Sequence, residues 1–328
     1  MPLNTPRSWY LLADIGGTNA RFAVGDPVSG ELCEIATIFV ADHPTFTAAL
    51  RSYLSRVEAS GQWAPQPDAA CLAVACPVDR AVVTFTNSDW VIDRKDLAFT
   101  LGVRSLKVIN DFAALGHAVA GFNEDDWEQV GDGAARPGKP LGVIGPGTGL
   151  GVCTVLPGRD GARVLAGEGG HVDFSPVGDE ELEILRLLLS RYRRVSAERV
   201  LSGAGIQNIY WALTQRRGVP RRQATPADIS AAALAGDDPV AVETLAVFCR
   251  VLGGVAGNLA LTVGAHGGIY ITGGIAPRVL PFLRRSEFRE RFLTKGRFRD
   301  YLSDIPTRVV TRENAGLFGA LKFLQSGC

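Results

Sequence analysis

One local pattern occurs twice in this chain and limits what the chain can fold into. Residues 11–24 read LLADIGGTNARFAV and residues 141–155 read LGVIGPGTGLGVCTV. In each, an apolar run breaks at glycines and then resumes, which is the signature of strand, tight turn, strand. Gly16 and Gly17 let the backbone turn sharply and leave no side chain in the way of a ligand. Thr18, Asn19 and the turn amides offer donors to an anion. Asp14 ends the first strand, so its carboxylate points into the same mouth. A carboxylate beside phosphate donors calls for a cation between them. The stretch therefore reads as a phosphate hairpin with Mg²⁺ held near Asp14 through water. Taken alone, it reads equally as an ordinary Gly-Gly β-hairpin. The second turn is more specific, because Gly145, Gly147, Gly149 and Gly151 alternate with Pro146, Thr148 and Leu150. Two such hairpins, one opening each half, read as an internal duplication with a nucleotide clamped between the halves. Ile144 stands where Asp14 stands in the first copy, so only the first half supplies a metal-side carboxylate.

Composition narrows the class. The chain has 328 residues, enough for about two domains. It is 46 % hydrophobic and 21 % charged, so a sizeable core is expected and global disorder is not. Lys+Arg and Asp+Glu are equal at 34 each, which argues against nucleic acid or an anionic membrane as the main partner. The basic clusters Arg191, Arg193, Arg194 and Arg216, Arg217, Arg221, Arg222 read as solvated faces. The cysteines (Cys33, Cys71, Cys76, Cys153, Cys249, Cys328) form no C-x-x-C pair and mostly sit in apolar runs, as expected in a reducing cytosol. The apolar run at Trp9 is cut short by Asp14 and glycines, so no signal peptide is expected. Residues 251–277 carry no charge and contain Gly253-x-x-x-Gly257, a pattern that suits a membrane helix or close packing in a soluble core. Interruption by glycines, Asn258 and His266 favours the core.

Along the chain, strands are expected at 31–40, 69–75, 82–86, 105–109, 268–275 and 307–311. Helices are expected at 46–60, 93–101, 112–119, 179–192, 203–217, 226–235, 239–264 and 315–324, with another opening at Pro277. Leu182, Leu185, Leu188 and Leu189 are read as the apolar face of the 179–192 helix. The polar stretch 121–140 reads as a surface connection and domain boundary. Alternating strands and helices imply an α/β architecture, in which ligands gather at the carboxyl ends of strands. Asp14 and Asp111 both fall at such ends.

Three further places carry polar groups of chemical interest. Glu168 and His171 are separated by two glycines in a short, bendable loop. By itself His171 reads as a satisfied structural histidine and Glu198 as a capping or surface residue. Gly273-Gly274 follows a buried strand, where bare backbone can receive a flat ring or simply turn into a helix.

Taken together, these motifs resemble the bacterial-type, non-ROK glucokinases of the hexokinase–actin ATPase superfamily, over nearly the whole chain. Residues 14–18 look like the first phosphate motif, 145–151 the second, and 271–274 the adenosine motif. Asn110-Asp111-Phe112 and 314–319 look like the two connecting segments, and 167–173 and 196–203 also match. The resemblance implies a two-domain α/β actin-like ATPase (ribonuclease H-like) fold with a ligand cleft between the domains. A small domain would span 1–120 plus 312–328 and a large one 121–311. It implies ATP-dependent phosphorylation of D-glucose to glucose 6-phosphate, the first step of glycolysis, with Mg²⁺, in a cytoplasmic homodimer. It makes Asp111 the general base on the sugar 6-hydroxyl and Asn110, Asp111, Glu168, His171 and Glu198 the sugar-binding set. It places Ala13, Asp14, Ile15, Gly16, Gly17, Thr18, Gly147, Thr148, Gly149, Gly273 and Gly274 at ATP, with Asp14 toward Mg²⁺. Two alternatives stay open: another hexose or phosphate donor, or a non-catalytic actin-like nucleotide-binding protein. The zinc-binding Cys cluster that ROK kinases and repressors carry does not follow His171, and the stretch before Trp9 is too short for a helix-turn-helix.

Overall fold

The computed structural model describes residues 6–85, 88–159, 161–220 and 223–327. Thr86, Arg221, Arg222 and Cys328 lie outside the described residues. The chain divides into two compact units: one runs to Gly121 and takes in Arg159–Ala162 and the stretch from Glu313, and the other holds Phe122–Gly158 and Arg163–Arg312.

The first unit begins with the hairpin of β1 (Tyr10–Ile15) and β2 (Asn19–Gly25), whose turn is closed by the Gly16 amide donating to the Asn19 carbonyl at 2.9 Å. β3 (Leu32–Phe39) extends this pair antiparallel on the outer edge. Helix α1 (Phe46–Ser60) is capped by the Thr45 side chain and stopped by Gly61, whose φ of 64° few other residues adopt. β4 (Ala69–Val74) runs parallel to β1 and is buried along its whole length. β5 (Val82–Thr84) and β6 (Val91–Asp93) form a separate small hairpin. Asp93 caps α2 (Arg94–Leu101), and β7 (Ser105–Asn110) completes the sheet beside β4. Asn110, the last residue of β7, caps α3 (Asp111–Ala120).

Period-two alternation gives the sheet two apolar faces. Leu11, Ala13 and Ile15 pack with Phe22, Phe46 and Tyr53, while Leu12 packs with Ala23, Cys71 and the C-terminal helix residues Leu317, Ala320 and Leu321. Asp14 has the parity of Leu12 and therefore faces that helix.

In the second unit, β8 (Trp127–Gln129) is an edge strand. β9 (Leu141–Pro146) and β10 (Leu150–Leu156) form the second glycine hairpin, and β11 (Arg163–Gly167) pairs antiparallel with β10. Helices α4 (Gly178–Leu189), α5 (Gly203–Arg217), α6 (Pro226–Ala235) and α7 (Pro239–Val263) follow. Then come β12 (Gly268–Ile271), α8 (Leu280–Arg285), α9 (Phe288–Leu293), α10 (Arg299–Ser303) and β13 (Thr307–Val310). The final helix, α11 (Ala315–Gln325), belongs to the first unit.

The sheet orders are β3-β2-β1-β4-β7 and β11-β10-β9-β12-β13-β8. In each, an antiparallel triplet is followed by two parallel strands, with β8 the one addition. The duplication read from two glycine turns thus extends to the whole strand order.

Helix α7 is the one helix among the described residues long and apolar enough to cross a membrane, and 72 % of its most apolar window is buried within the unit. Its small residues serve packing. A Cβ on Gly253 would lie 2.1 Å from the Phe288 carbonyl oxygen, and one on Gly257 2.7 Å from that of Phe292. Helix α9 therefore lies against the glycine face of α7.

Three expectations need correction. The stretch 121–140 is not all surface connection: Asn123 and Asp126 form a capping box, and Trp127–Gln129 pairs with β13. Pro277 does not open a helix, which starts only at Leu280. In α4 the buried side is Glu181, Ile184 and Leu188, whereas Leu182 and Leu189 are half exposed. The Glu181 carboxylate draws that face inward: it accepts from the Val177 amide at 2.8 Å and the Arg250 Nε at 3.0 Å. A buried charge so partnered can displace leucine from the core side.

Candidate active site

In the first unit, β1 delivers Asp14 to the mouth of the Gly16-Gly17-Thr18 turn. The Asp14 carboxylate retains 23 % exposure and lies 3.7 Å from the Arg21 guanidinium, its cross-strand partner. Burial pushes its pKa up, and Arg21 pulls it partly back. A Cβ on Gly316 would lie 2.6 Å from Asp14 Oδ2, so α11 presents bare backbone of its first turn to this carboxylate. A helix N-terminus favours an anion there. Gly17 and Thr18 are exposed, while Ala13 and Ile15 are fully buried, so those two can reach a ligand only through backbone. Asn19 Oδ1, beside the turn, is buried without a hydrogen-bond partner.

The second set in this unit sits where β7 meets α3. Asn110 Oδ1 accepts from the amides of Phe112 at 2.9 Å and Ala113 at 3.2 Å, which directs the side-chain NH₂ away from the helix. Asp111 is the first helical residue; its Oδ1 accepts from the Phe112 amide at 2.9 Å, and it is half-buried. The cap and the helix start hold this amide–carboxylate pair at a strand's carboxyl end, where sheets of this kind place ligands.

In the second unit, the Gly147 amide donates to the Gly149 carbonyl at 2.8 Å across the second glycine turn. Thr148 is exposed at its tip. Gly273 has φ of 81°, and a Cβ there would lie 2.4 Å from the Pro146 carbonyl oxygen. The Gly273-Gly274 segment thus lies against the glycine turn, and only glycine permits that approach.

Glu168 and His171 flank two glycines that pack on β10. A Cβ on Gly170 would lie 1.9 Å from the Leu150 carbonyl oxygen, and one on Gly169 2.8 Å from Val152 Cβ. The Glu168 and His171 side chains are 83 % and 55 % exposed, with His171 Nε2 3.9 Å from Glu168 Oε2. His171 is therefore not the satisfied structural histidine that it suggests when read alone. Its backbone carbonyl accepts from Arg194 at 2.8 Å, and the same nitrogen pairs with Asp173 at 2.8 Å. The Ala197 amide donates to the Val172 carbonyl at 2.8 Å, which ties the loop to the segment carrying Glu198. Glu198 is not a cap: its Oε2 accepts from the Leu150 amide at 2.9 Å, at the end of the glycine turn. Glu168, His171 and Glu198 are thus gathered around the first residues of β10.

Arg21 and Arg194 do not stand out as site residues in the sequence. The hairpin register does imply Arg21, since it lies as far after the turn as Asp14 lies before it. Arg194 gives no such signal, and the arginine clusters are not purely solvated. Arg191 stacks on Trp211 at 4.5 Å, and Arg216 pairs with Glu180 at 2.9 Å. Among the described residues, no group of three or more His, Cys, Asp or Glu is arranged to hold a metal, so a cation at Asp14 would draw on at most two such side chains.

Comparison with known proteins bears on the family and the fold. The glucokinase family profile matches residues 11–327. The glucokinase of Hahella chejuensis is 42 % identical over 322 residues, covering 97 % of both chains. A crystal structure of glucokinase from an Antarctic psychrotroph superposes with a TM-score of 0.85 at 36 % identity, covering 97 % of this chain and 98 % of that one. A ROK family glucokinase from Streptomyces griseus, solved with glucose and AMPPNP, shares the fold at a TM-score of 0.64 and 21 % identity, covering 96 % of this chain and 99 % of that one. The α/β actin-like ATPase fold expected from the motifs is the fold of these sugar kinases. With a profile match over nearly its full length and the motif groups placed at strand ends and glycine turns, the chain belongs to the glucokinase family.

Proposed function

We propose that this chain transfers the γ-phosphoryl group of ATP to the 6-hydroxyl of D-glucose. The observation that carries this reading is the packing of the Glu168–His171 loop, through Gly170, onto the strand leaving a phosphate-type turn. Sugar-binding and phosphate-binding groups thereby share one rigid element. The glucose and AMPPNP bound to the Streptomyces griseus neighbour support both substrates.

Phosphoryl transfer through a loose transition state requires mostly positioning and charge neutralisation. Glu168 and Glu198 would accept hydrogen bonds from sugar hydroxyls, and His171 and the Asn110 NH₂ would supply further polar contacts. The Gly16–Thr18 and Gly147–Gly149 turns would donate amides to phosphate oxygens, and Gly273-Gly274 would receive the adenosine. Asp111 would take the hydroxyl proton as the O–P bond forms, and a carboxylate can do this only when ionised. Asp14 fits Mg²⁺ held largely through water, because that ion keeps several waters and binds one or two carboxylates plus phosphates. Such an ion would neutralise charge on the phosphate chain. The disulfide-free cysteines among the described residues support a cytoplasmic location. We assign the solution state as a homodimer on family likeness, to be checked by light scattering.

The test is ADP release from ATP and Mg²⁺ with and without sugar, across several hexoses and phosphate donors. ADP formation should require glucose; slow hydrolysis indifferent to sugar would favour a nucleotide-binding protein without sugar chemistry. In the same assay, Glu168→Gln should raise the KM for glucose by about 10-fold or more, as expected for losing a hydrogen bond to a charged group. Its kcat should stay within about threefold, since Glu168 binds sugar alike before and during transfer. An unaltered KM would remove Glu168 from the sugar set.

A further inference from the structure

The second glycine turn already holds an anion, and that anion belongs to the chain itself. Glu198 Oε2 accepts from the Leu150 amide at 2.9 Å. A Cβ on Gly149 would lie 2.5 Å from the same oxygen, so the carboxylate occupies the space that the turn keeps clear of side chains. The segment is fastened around this contact. The Gly203 amide donates to the Gly147 carbonyl at 2.8 Å, and the Ser202 hydroxyl donates to the Glu198 carbonyl at 2.8 Å. Turns of successive amides in this conformation are general anion sites, equally suited to a carboxylate or a phosphate oxygen.

We infer that Glu198 is a place-holder in the nucleotide-phosphate turn as well as a sugar ligand, and that sugar binding releases the Leu150 amide for the nucleotide. The inference rests on the proposed assignment of Glu198 to the sugar and of the Gly147–Gly149 turn to phosphate, and extends that turn by one residue to the Leu150 amide. Sugar hydroxyls are donors, and a carboxylate turned toward them gives up the amide. A phosphate oxygen can then take it. Because binding couplings are reciprocal, nucleotide held at that amide would in turn favour sugar capture by the freed carboxylate. All of these groups lie in the second unit, so this coupling needs no movement of one unit against the other.

The alternative is that the Glu198–Leu150 bond is only a structural tie, and the two ideas predict opposite signs. Glu198→Ala removes the competing anion. Without sugar it should bind AMPPNP about fivefold tighter than the parent chain, the effect of freeing one amide for a charged acceptor. Its glucose affinity should fall at least about tenfold. Glu198→Gln keeps an acceptor for Leu150, so its sugar-free AMPPNP affinity should stay near the parent's while its glucose affinity falls. Weaker or unchanged AMPPNP binding in Glu198→Ala, with lost glucose affinity, would overturn the place-holder role and leave the sugar assignment standing. Unchanged glucose affinity in both variants would overturn the sugar assignment instead, and this inference with it. Should Glu198→Ala not fold, the Leu150 amide resonance of the parent chain decides. Added glucose should shift it as the internal bond breaks, and a resonance that glucose leaves in place refutes the release.

Discussion

Asp111→Asn is expected to lower kcat by about 10²- to 10⁴-fold, the range of a positioned general base, while the dissociation constant for glucose stays within about threefold. The asymmetry follows from the local geometry. The carbonyl oxygen of an asparagine can take the place of Oδ1, which accepts from the Phe112 amide at 2.9 Å, so the start of α3 need not change. The Asn110 cap beside it, which fixes the strand-to-helix turn, is untouched. What is lost is an oxygen basic enough to receive a proton. Calorimetry for glucose binding and a coupled assay for turnover separate the two effects. A kcat within tenfold of the parent's would remove Asp111 from the proton-accepting role.

The second large effect is on stability. Gly319→Ala should destabilise the first unit by about 2–4 kcal/mol and lower its Tm by about 5–15 °C. A Cβ at 319 would lie 1.8 Å from the Ala114 carbonyl oxygen and 2.5 Å from its carbon. Both are backbone atoms of α3, which cannot step aside as a side-chain tip can. Alanine's better helix propensity returns only about 1 kcal/mol. The helix that must shift is the one that places Leu317, Ala320 and Leu321 on Leu12 and Cys71 and turns Gly316 toward Asp14. Urea unfolding monitored by circular dichroism gives the measurement. An unchanged midpoint would mean that α3 and α11 can part without cost.

Much of the molecule could be read along the chain because its signals are local. Thr45 and Gly61, Asp93 and Gly102, Thr225 with Pro226 and Gly236, and Asp238 with Pro239 and Gly264 bracket four helices. Each pair acts through hydrogen bonds or φ preferences within a few residues of itself. The glycine hairpins are local in the same sense. At α4 and at β8 a distant residue intervenes. The leucines of α4 suggested one face, but Arg250, far along the chain on α7, holds Glu181 inside and leaves Leu182 and Leu189 half exposed. Trp127 lay in a polar stretch, yet Arg308 on β13 stacks over its ring at 3.8 Å, and β8 forms there.

By itself, the sequence determined the two glycine turns, the α/β alternation and the positions of the longer helices; the short helices α8, α9 and α10 escaped it, and the polar groups stood out as a set only through the family resemblance. Hydrophobic period, caps and turn glycines are short-range terms that any window of the chain carries. Only the tertiary structure decided where those groups are placed. Gly170 seats the Glu168–His171 loop on β10, Arg194 holds its carbonyl, Gly316 opens α11 to Asp14, and Glu198 fills the turn beside Gly149. These contacts join residues far apart along the chain, and they depend on where whole elements pack, because close backbone approach and buried charge pairing are settled only when those elements meet.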